Sequence, residues 1–209
     1  MPFTLPSFAK TRPYLYHLTS QRNCKRLLRS RTLHCAAKVL RDSNNRKWIN
    51  EKRTDIVTVT FDDDELDLRD QAPLYRGKTR LEGGWTFEEL VRELNERVFF
   101  WPGWNHGVIS YGVRHFERYE DDGPAILRVK TEDVFDANTR LVPHFCKYNS
   151  GSPRTTNGRG SPRGPNTFIG CEVAPFLPSN VVEVTYRGSV TLPAMIEVAD
   201  GPLGPWKKR

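Results

Sequence analysis

The sequence predicts an α+β fold. Segments of helix and strand character are mixed along the chain, the strand-like ones cluster toward its end, and no regular strand–helix alternation appears. No phosphate-binding glycine signature follows a strand and opens a helix, so P-loop and Rossmann readings fail on context. At 209 residues the chain is long enough for one domain, 1–209, with a real core. With 37% hydrophobic and 11% aromatic residues it belongs with folding chains rather than disordered ones.

Taken in order, Pro13–Leu18 alternates and reads as a strand ending at His17. Ser20 then caps a short helix through Arg29, with Cys24, Leu27 and Leu28 on one face and Arg22, Lys25, Arg26 and Arg29 over the rest. Residues 41–52 are polar, with a turn at Asn44-Asn45. Ile56–Phe61 is β-branched and alternating, a strand, and the acidic run Asp62–Asp67 after it reads as a solvated loop. Thr86-Phe87-Glu88-Glu89 is a capping box that opens a helix with Phe87, Leu90, Val91 and Leu94 on one face and Asn95 at its end. Val98–Trp101 follows as a buried strand, Ala125–Val129 as another, and Thr131–Phe135 as one helical turn. Residues 149–166 contain no aliphatic or aromatic residue and read as a long Gly/Ser/Pro/Arg loop, a length that in a compact domain points to function or disorder. Strands resume at Thr167–Val173, Val181–Tyr186 and Ser189–Leu192, and a short basic tail, 200–209, ends frayed.

The net charge of +7 is unevenly spread: +11 over residues 1–53, −9 over 54–136 and +5 over 137–209. Such polarity points to a basic face for a polyanion: nucleic acid, a phosphorylated cofactor or an acidic partner. The four cysteines, Cys24, Cys35, Cys146 and Cys171, form no CxxC pair, and His34 is too close to Cys35 to share a metal. They read as reduced, mostly buried thiols of a cytoplasmic protein, with no metal site. No apolar run is long enough for a membrane span, and the N-terminus has no signal-peptide pattern.

One local feature is chemical in character: Leu15-Tyr16-His17-Leu18-Thr19-Ser20 sets a histidine at the end of an aromatic-rich strand. The segment Tyr16–Ala36 that contains it resembles the start of the DarT family of ADP-ribosyltransferases, through Tyr16-His17-Leu18-Thr19, Asn23, Leu27-Leu28 and Leu33-His34-Cys35 in that order. Three further stretches are similar to family motifs: Ile49–Arg53; Arg97–Gly103; and Gly170-Cys171-Glu172-Val173 followed by Pro178 and Val181–Val184. The resemblance covers about half the chain and departs at Trp104-Asn105-His106-Gly107. The signatures Arg69-Asp70-Gln71, Val98–Pro102 and Asn149-Ser150-Gly151 look like those of a divergent sister group.

The resemblance implies two small packed sheets with NAD as co-substrate in the cleft between them, and transfer of ADP-ribose to a nucleic acid, DNA or RNA. It implies a toxin or antiphage effector, with an antitoxin or regulatory protein as a possible partner. Glu172 would be the catalytic acid, stabilising positive charge on the ribose as its bond to nicotinamide breaks. Arg53 would neutralise the pyrophosphate or orient the acceptor. His17 and Thr19 would hold the cofactor, and Phe99, Phe100 or Trp101 would stack on nicotinamide. Arg154, Arg159 and Arg163 in the long loop would meet the acceptor strand. The residues leave alternatives open: Glu183 is a second acid at similar spacing, Lys52, Arg46 and Arg69 compete with Arg53, and at least one of Phe99–Trp101 belongs to the core. Transfer to a protein, NAD glycohydrolysis and a non-catalytic nucleic-acid-binding module stand as other readings. A metal-dependent nuclease on Asp62–Glu65 ranks last, because a strand there would send alternate carboxylates to opposite faces.

Overall fold

The computed structural model describes residues 2–153, 155–156 and 159–209. Helix α1 (Leu5–Thr11) opens it, with Thr4 and Ser7 capping each other and Pro6 in the first turn. Strand β1 (Tyr14–Ser20) runs past His17, and its last residue caps α2 (Gln21–Ser30): Asn23 N–H donates to Ser20 Oγ at 3.2 Å. Next come β2 (Thr32–Leu33) and α3 (Ala36–Asp42), and Asn44 turns the chain at φ 60°.

Strands β3 (Val57–Phe61) and β4 (Asp64–Leu68) form a hairpin turned by Asp62 and Asp63, at φ 49° and 64°. The acidic run is therefore the turn and second strand of a hairpin, not a solvated loop. Its carboxylates are matched to the arginines of α2: Arg26–Asp62 at 2.5 Å, Arg29–Asp64 at 2.7 Å and Arg22–Asp67 at 3.1 Å. Helix α4 (Phe87–Asn95) begins with the expected capping box, Thr86 and Glu89 exchanging bonds.

Strands β5 (Arg97–Trp104) and β6 (Gly107–Val108) lead into α5 (Ser110–Glu117), which the sequence hid behind Gly112. A Cβ on Gly112 would run into Val108 and Trp101, so the glycine lets α5 sit close on the sheet. Strand β7 (Pro124–Lys130), α6 (Thr131–Ala137) and β8 (His144–Cys146) follow. The long loop contains a small ribbon, β9 (Thr155–Thr156) with β10 (Arg159–Gly160), and a 3-10 turn at Pro165–Thr167. The strand expected at Thr167–Val173 is absent. Pro165 starts one 3-10 turn, Cys171–Val173 forms another, and only an isolated bridge joins Ile169 to Phe145.

The chain closes with β11 (Glu183–Arg187), β12 (Val190–Thr191), β13 (Glu197–Ala199) and β14 (Lys207–Lys208). The tail expected to fray instead pairs with β13, and Arg209 N–H donates to Ile196 O at 2.7 Å. Trp206 anchors it, with its ring 5.6 Å from that of Tyr16 and the Arg128 guanidinium 4.3 Å above it.

The architecture is α+β, as expected. In place of two small sheets there is an eight-stranded antiparallel sheet, ordered β14-β13-β7-β1-β5-β11-β8 with β6 on β5, and two-stranded ribbons β2–β12, β3–β4 and β9–β10. Alternate side chains feed different cores: Leu15, Phe100, Leu127 and Val184 pack with α1 and α2, while Tyr16, Trp101 and Ile126 pack with Phe116 of α5. The sheet changes partner inside β5, where Trp101–Gly103 pair with β1 and Arg97–Phe100 pair with β11. Past Tyr16, β1 therefore parts from β5, and this split positions the site. No helix among the described residues is long and apolar enough to cross a membrane.

Candidate functional site

The ladder between β1 and β5 ends at Tyr16–Trp101, leaving a carbonyl of β5 without its strand partner. The imidazole of His17 replaces that partner, with Nδ1 2.8 Å from Phe99 O. A carbonyl only accepts, so Nδ1 carries the proton and Nε2 keeps its lone pair. Burial pushes the pKa down to about 4, against the Phe99 bond and with help from the charge of Arg69, so the ring is neutral at pH 7. The half-buried ring lines a cavity of about 320 Å³, the scale of a small-ligand pocket. Thr19 lines it too, and its carbonyl accepts from Arg69 Nη2 at 2.9 Å.

Arg53 forms another part of the wall. Its side chain is held by neutral groups: Nε donates to Arg69 O at 2.9 Å and Nη1 to Asn95 Oδ1 at 2.9 Å. Asn95 is fixed in turn by bonds to Trp48 O and Ile49 O, both 3.0 Å. Among the described residues no carboxylate forms an ion pair with Arg53, though only 5% of it is exposed, and burial pulls its pKa down to about 10. Arg69 lies beside it, its Nε and Nη1 buried without hydrogen-bond partners and its nearest carboxylate, Asp122, at 3.7 Å. Asp70 lines the same cavity and its charge acts on both guanidiniums, but among the described residues it forms an ion pair with neither, which leaves the two suited to an anion.

Among the described residues three acids line the cavity, Asp67, Asp70 and Glu183, and of these Glu183, at the start of β11, is the buried one. It is 3% exposed and accepts from Ser150 N–H at 3.0 Å. Burial raises its pKa to about 7, opposed by the Ser150 bonds and the charge of Arg163. The buried Cys146 thiol beside it is pushed well up by burial and by that same carboxylate. Glu172 is elsewhere: it is exposed, in the 3-10 turn Cys171–Val173, takes a bond from its neighbour Cys171 Sγ and does not line the cavity. The expectation that Glu172 shares the cleft with His17 is thus overturned. It relied on a strand at Thr167–Val173, and with no strand there the side chain does not point inward.

The other expected site residues divide. Phe99 lines the cavity, while Phe100 is fully buried, 6.4 Å edge-on from Tyr186, and belongs to the core. Arg163 is a structural tether rather than a free acceptor-binding arginine. It is 1% exposed, donates to Ser150 O at 2.9 Å, Ser161 O at 3.0 Å and Pro162 O at 2.9 Å, and also bonds Asn149 O. It thereby fixes the backbone whose N–H holds Glu183. Arg154 lies outside the described residues, as does the side chain of Arg159.

Sequence reasoning gave no role to His115 and Tyr119 of the α5 region, which also line the cavity. Burial, then the charges of Arg69 and His17, drive His115 down to about 3, so this ring, like that of His17, is neutral at pH 7; the third cavity histidine, His34, is lowered by burial and has its Nδ1 2.7 Å from Ser189 Oγ. The signal for the remaining wall was present in the signatures Arg69-Asp70-Gln71 and Asn149-Ser150-Gly151, all of which face the cavity. Among the described residues no group of three or more His, Cys, Asp or Glu is placed to hold a metal ion.

The neutral acceptor His17, the buried carboxylate of Glu183 and, of the four arginines that line the cavity among the described residues, the guanidiniums of Arg53 and Arg69 can together hold an anionic ligand and stabilise positive charge developing beside it. No curated protein and no solved structure matches the chain. A family model covers residues 13–195, a span that includes every wall of the cavity, and the chain belongs to that family, DUF7002, a family of unknown function.

Proposed function

We propose that this protein breaks the nicotinamide–ribose bond of NAD and transfers ADP-ribose to a nucleic-acid base. The observation that carries the reading is the meeting of His17, Glu183 and Arg53 in one cavity at the split between β1 and β5. The fit to NAD rests on charge: among the described residues Arg53 forms no ion pair, Arg69 meets Asp122 only at 3.7 Å and Asp70 pairs with neither, so the two guanidiniums suit a pyrophosphate. His17 Nε2, an acceptor, suits a ribose hydroxyl, and Phe99 offers a ring for nicotinamide.

In this reading Glu183, not Glu172, faces the ribose. As the C1′–N bond lengthens, its carboxylate stabilises the positive charge on the sugar, and the bonding pair leaves with nicotinamide. The incoming nitrogen or oxygen of the base forms the new bond to C1′ and loses a proton, which a carboxylate with a pKa of about 7 can accept. Modification of nucleic acid at the expense of NAD fits a toxin or antiphage effector held in check by an antitoxin.

The test is incubation with NAD carrying labelled adenine, with and without DNA or RNA oligonucleotides, reading nicotinamide release and label on the oligonucleotide. Label on nucleic acid that disappears in Glu183→Gln is the expected result. Nicotinamide release without label would make the protein an NAD glycohydrolase, and no release at all would overturn the reading.

A further inference from the structure

Helix α4 ends at the cavity wall. Its last residue, Asn95, is 1% exposed and lines the cavity, as does Arg53. Every hydrogen-bonding position of the Asn95 amide is filled. Nδ2 donates to Trp48 O and Ile49 O, both at 3.0 Å, and Oδ1 accepts from Arg53 Nη1 at 2.9 Å and from Gln71 Nε2 at 3.3 Å. The two carbonyls only accept, so they turn the amide nitrogen to the backbone and its oxygen to the guanidinium.

The rest of Arg53 is held by groups without net charge. Its N–H donates to Gln71 Oε1 at 3.2 Å, its carbonyl accepts from Gln71 N–H at 2.8 Å, and Nε donates to Arg69 O at 2.9 Å. With Nε and Nη1 engaged, Nη2 is the guanidinium nitrogen without a hydrogen bond among the described residues. It is therefore the nitrogen left to bind what enters the cavity.

The tether differs in kind from those of the neighbouring arginines. Four arginines line the cavity among the described residues. Arg26 lies 2.5 Å from Asp62, Arg97 3.3 Å from Glu93 and Arg69 3.7 Å from Asp122. Arg53 alone of the four has an amide where the others have a carboxylate. An aspartate has nearly the shape of an asparagine, but its charge would cancel that of the guanidinium it holds.

We propose that Asn95 is a positioning residue that fixes the Arg53 guanidinium through Nη1 and leaves its charge unpaired, so that Nη2 and that charge both serve an anionic ligand. The proposal rests on the NAD reading only for the class of anion, a pyrophosphate, and names the residue that tunes the site to it.

Calorimetric titration of the full chain with inorganic pyrophosphate tests it. The wild type binds. Affinity falls about 10- to 100-fold in Asn95→Asp and by less in Asn95→Ala, because the first removes the free charge and the second removes only the tether. A merely structural asparagine gives the opposite order, since aspartate fills its place better than alanine. No binding by the wild type, equal affinity in the wild type and Asn95→Asp, or a larger loss in Asn95→Ala would overturn the proposal.

Nitrogen-15 NMR of the wild-type arginine side chains tests it without a variant at Asn95, with Arg53 assigned by its absence in Arg53→Lys. Arg53 Nη1 and Nη2 should give separate signals, because the bonds at Nε and Nη1 stop the head from turning, and pyrophosphate should shift Nη2 most. One averaged signal, or a shift confined to Nη1, would overturn it. Nicotinamide release from NAD is read separately. Release with pyrophosphate affinity unchanged in Asn95→Asp refutes the role of Asn95 and leaves the NAD reading standing, and the expected order of affinities without release does the reverse.

Discussion

Glu183 is a carboxyl in a place that penalises charge. Its pKa of about 7 exceeds the ordinary glutamate value of 4.5, so the protonated form favours the folded state. That contribution is full below pH 4.5 and is lost as pH rises through about 7. Glu183→Gln should therefore leave stability little changed at pH 4.5 and raise it at pH 8 by at most about 3 kcal/mol. Urea unfolding at the two pH values checks this, and a variant equally or less stable at pH 8 would contradict it. In the proposed reaction the carboxylate acts ionised, so kcat/KM should be about tenfold lower at pH 6 than on its plateau near pH 8. His17 titrates only near pH 4, and NMR should show its neutral, Nδ1-protonated ring unchanged from pH 8 to pH 5.5. At this scale the sequence was legible for His17 and Arg53, whose short motifs lie on the segments that build the cavity. It was misleading for Glu172 and Glu183, because residue type and spacing were alike at both and only the strand state of each segment decided which acid faces inward.

Helices and strands with strong local signals were legible as elements. Ser20 caps α2 and Thr86 caps α4 as their sequences dictate, because a capping bond is decided within a few residues. Thr86→Ala should cost about 1 kcal/mol and lower Tm by about 2–4 °C, measured by thermal unfolding. The elements that were not legible depend on distant partners. Helix α5 contains a glycine that weakens its local signal and that packing against Trp101 and Val108 requires. Gly112→Ala, favourable in an isolated helix, should here destabilise by about 1–3 kcal/mol, and a stabilised variant would show that the close approach of α5 to the sheet is wrong. Strand β4 was hidden because its acidic residues read as solvated, whereas the arginines of α2 neutralise them across the hairpin. Leu66–Gln71, the end of that hairpin and the chain after it, form part of the cavity wall, so the charge match between α2 and β4 also shapes the site.

For the molecule as a whole, the charge blocks have a different meaning from the one their sum offers. Much of the +11 of the first quarter meets the −9 of the middle within the fold, through α2 on the hairpin and through Arg41–Glu96 at 2.7 Å. The positive charge that bears on the proposed function is smaller and sits inside, on Arg53 and Arg69 in the cavity. The C-terminal residues, which composition alone marks as a loose basic tail, close the sheet through Trp206 on Tyr16 and Arg128. Trp206→Ala should destabilise by about 1–3 kcal/mol in thermal unfolding, and an unchanged Tm would mean that the tail contributes nothing to the fold.

These scales converge on the split in the sheet, where β1 leaves β5 and the histidine, the guanidiniums and the buried acid share one cavity. Nicotinamide release from NAD at pH 8 tests that account most directly, compared among the wild-type protein, Glu183→Gln and Glu172→Gln. The account predicts release by the wild type and by Glu172→Gln, and loss of at least about a hundredfold in Glu183→Gln. Release that survives in Glu183→Gln and disappears in Glu172→Gln, or no release by any of the three, would contradict it.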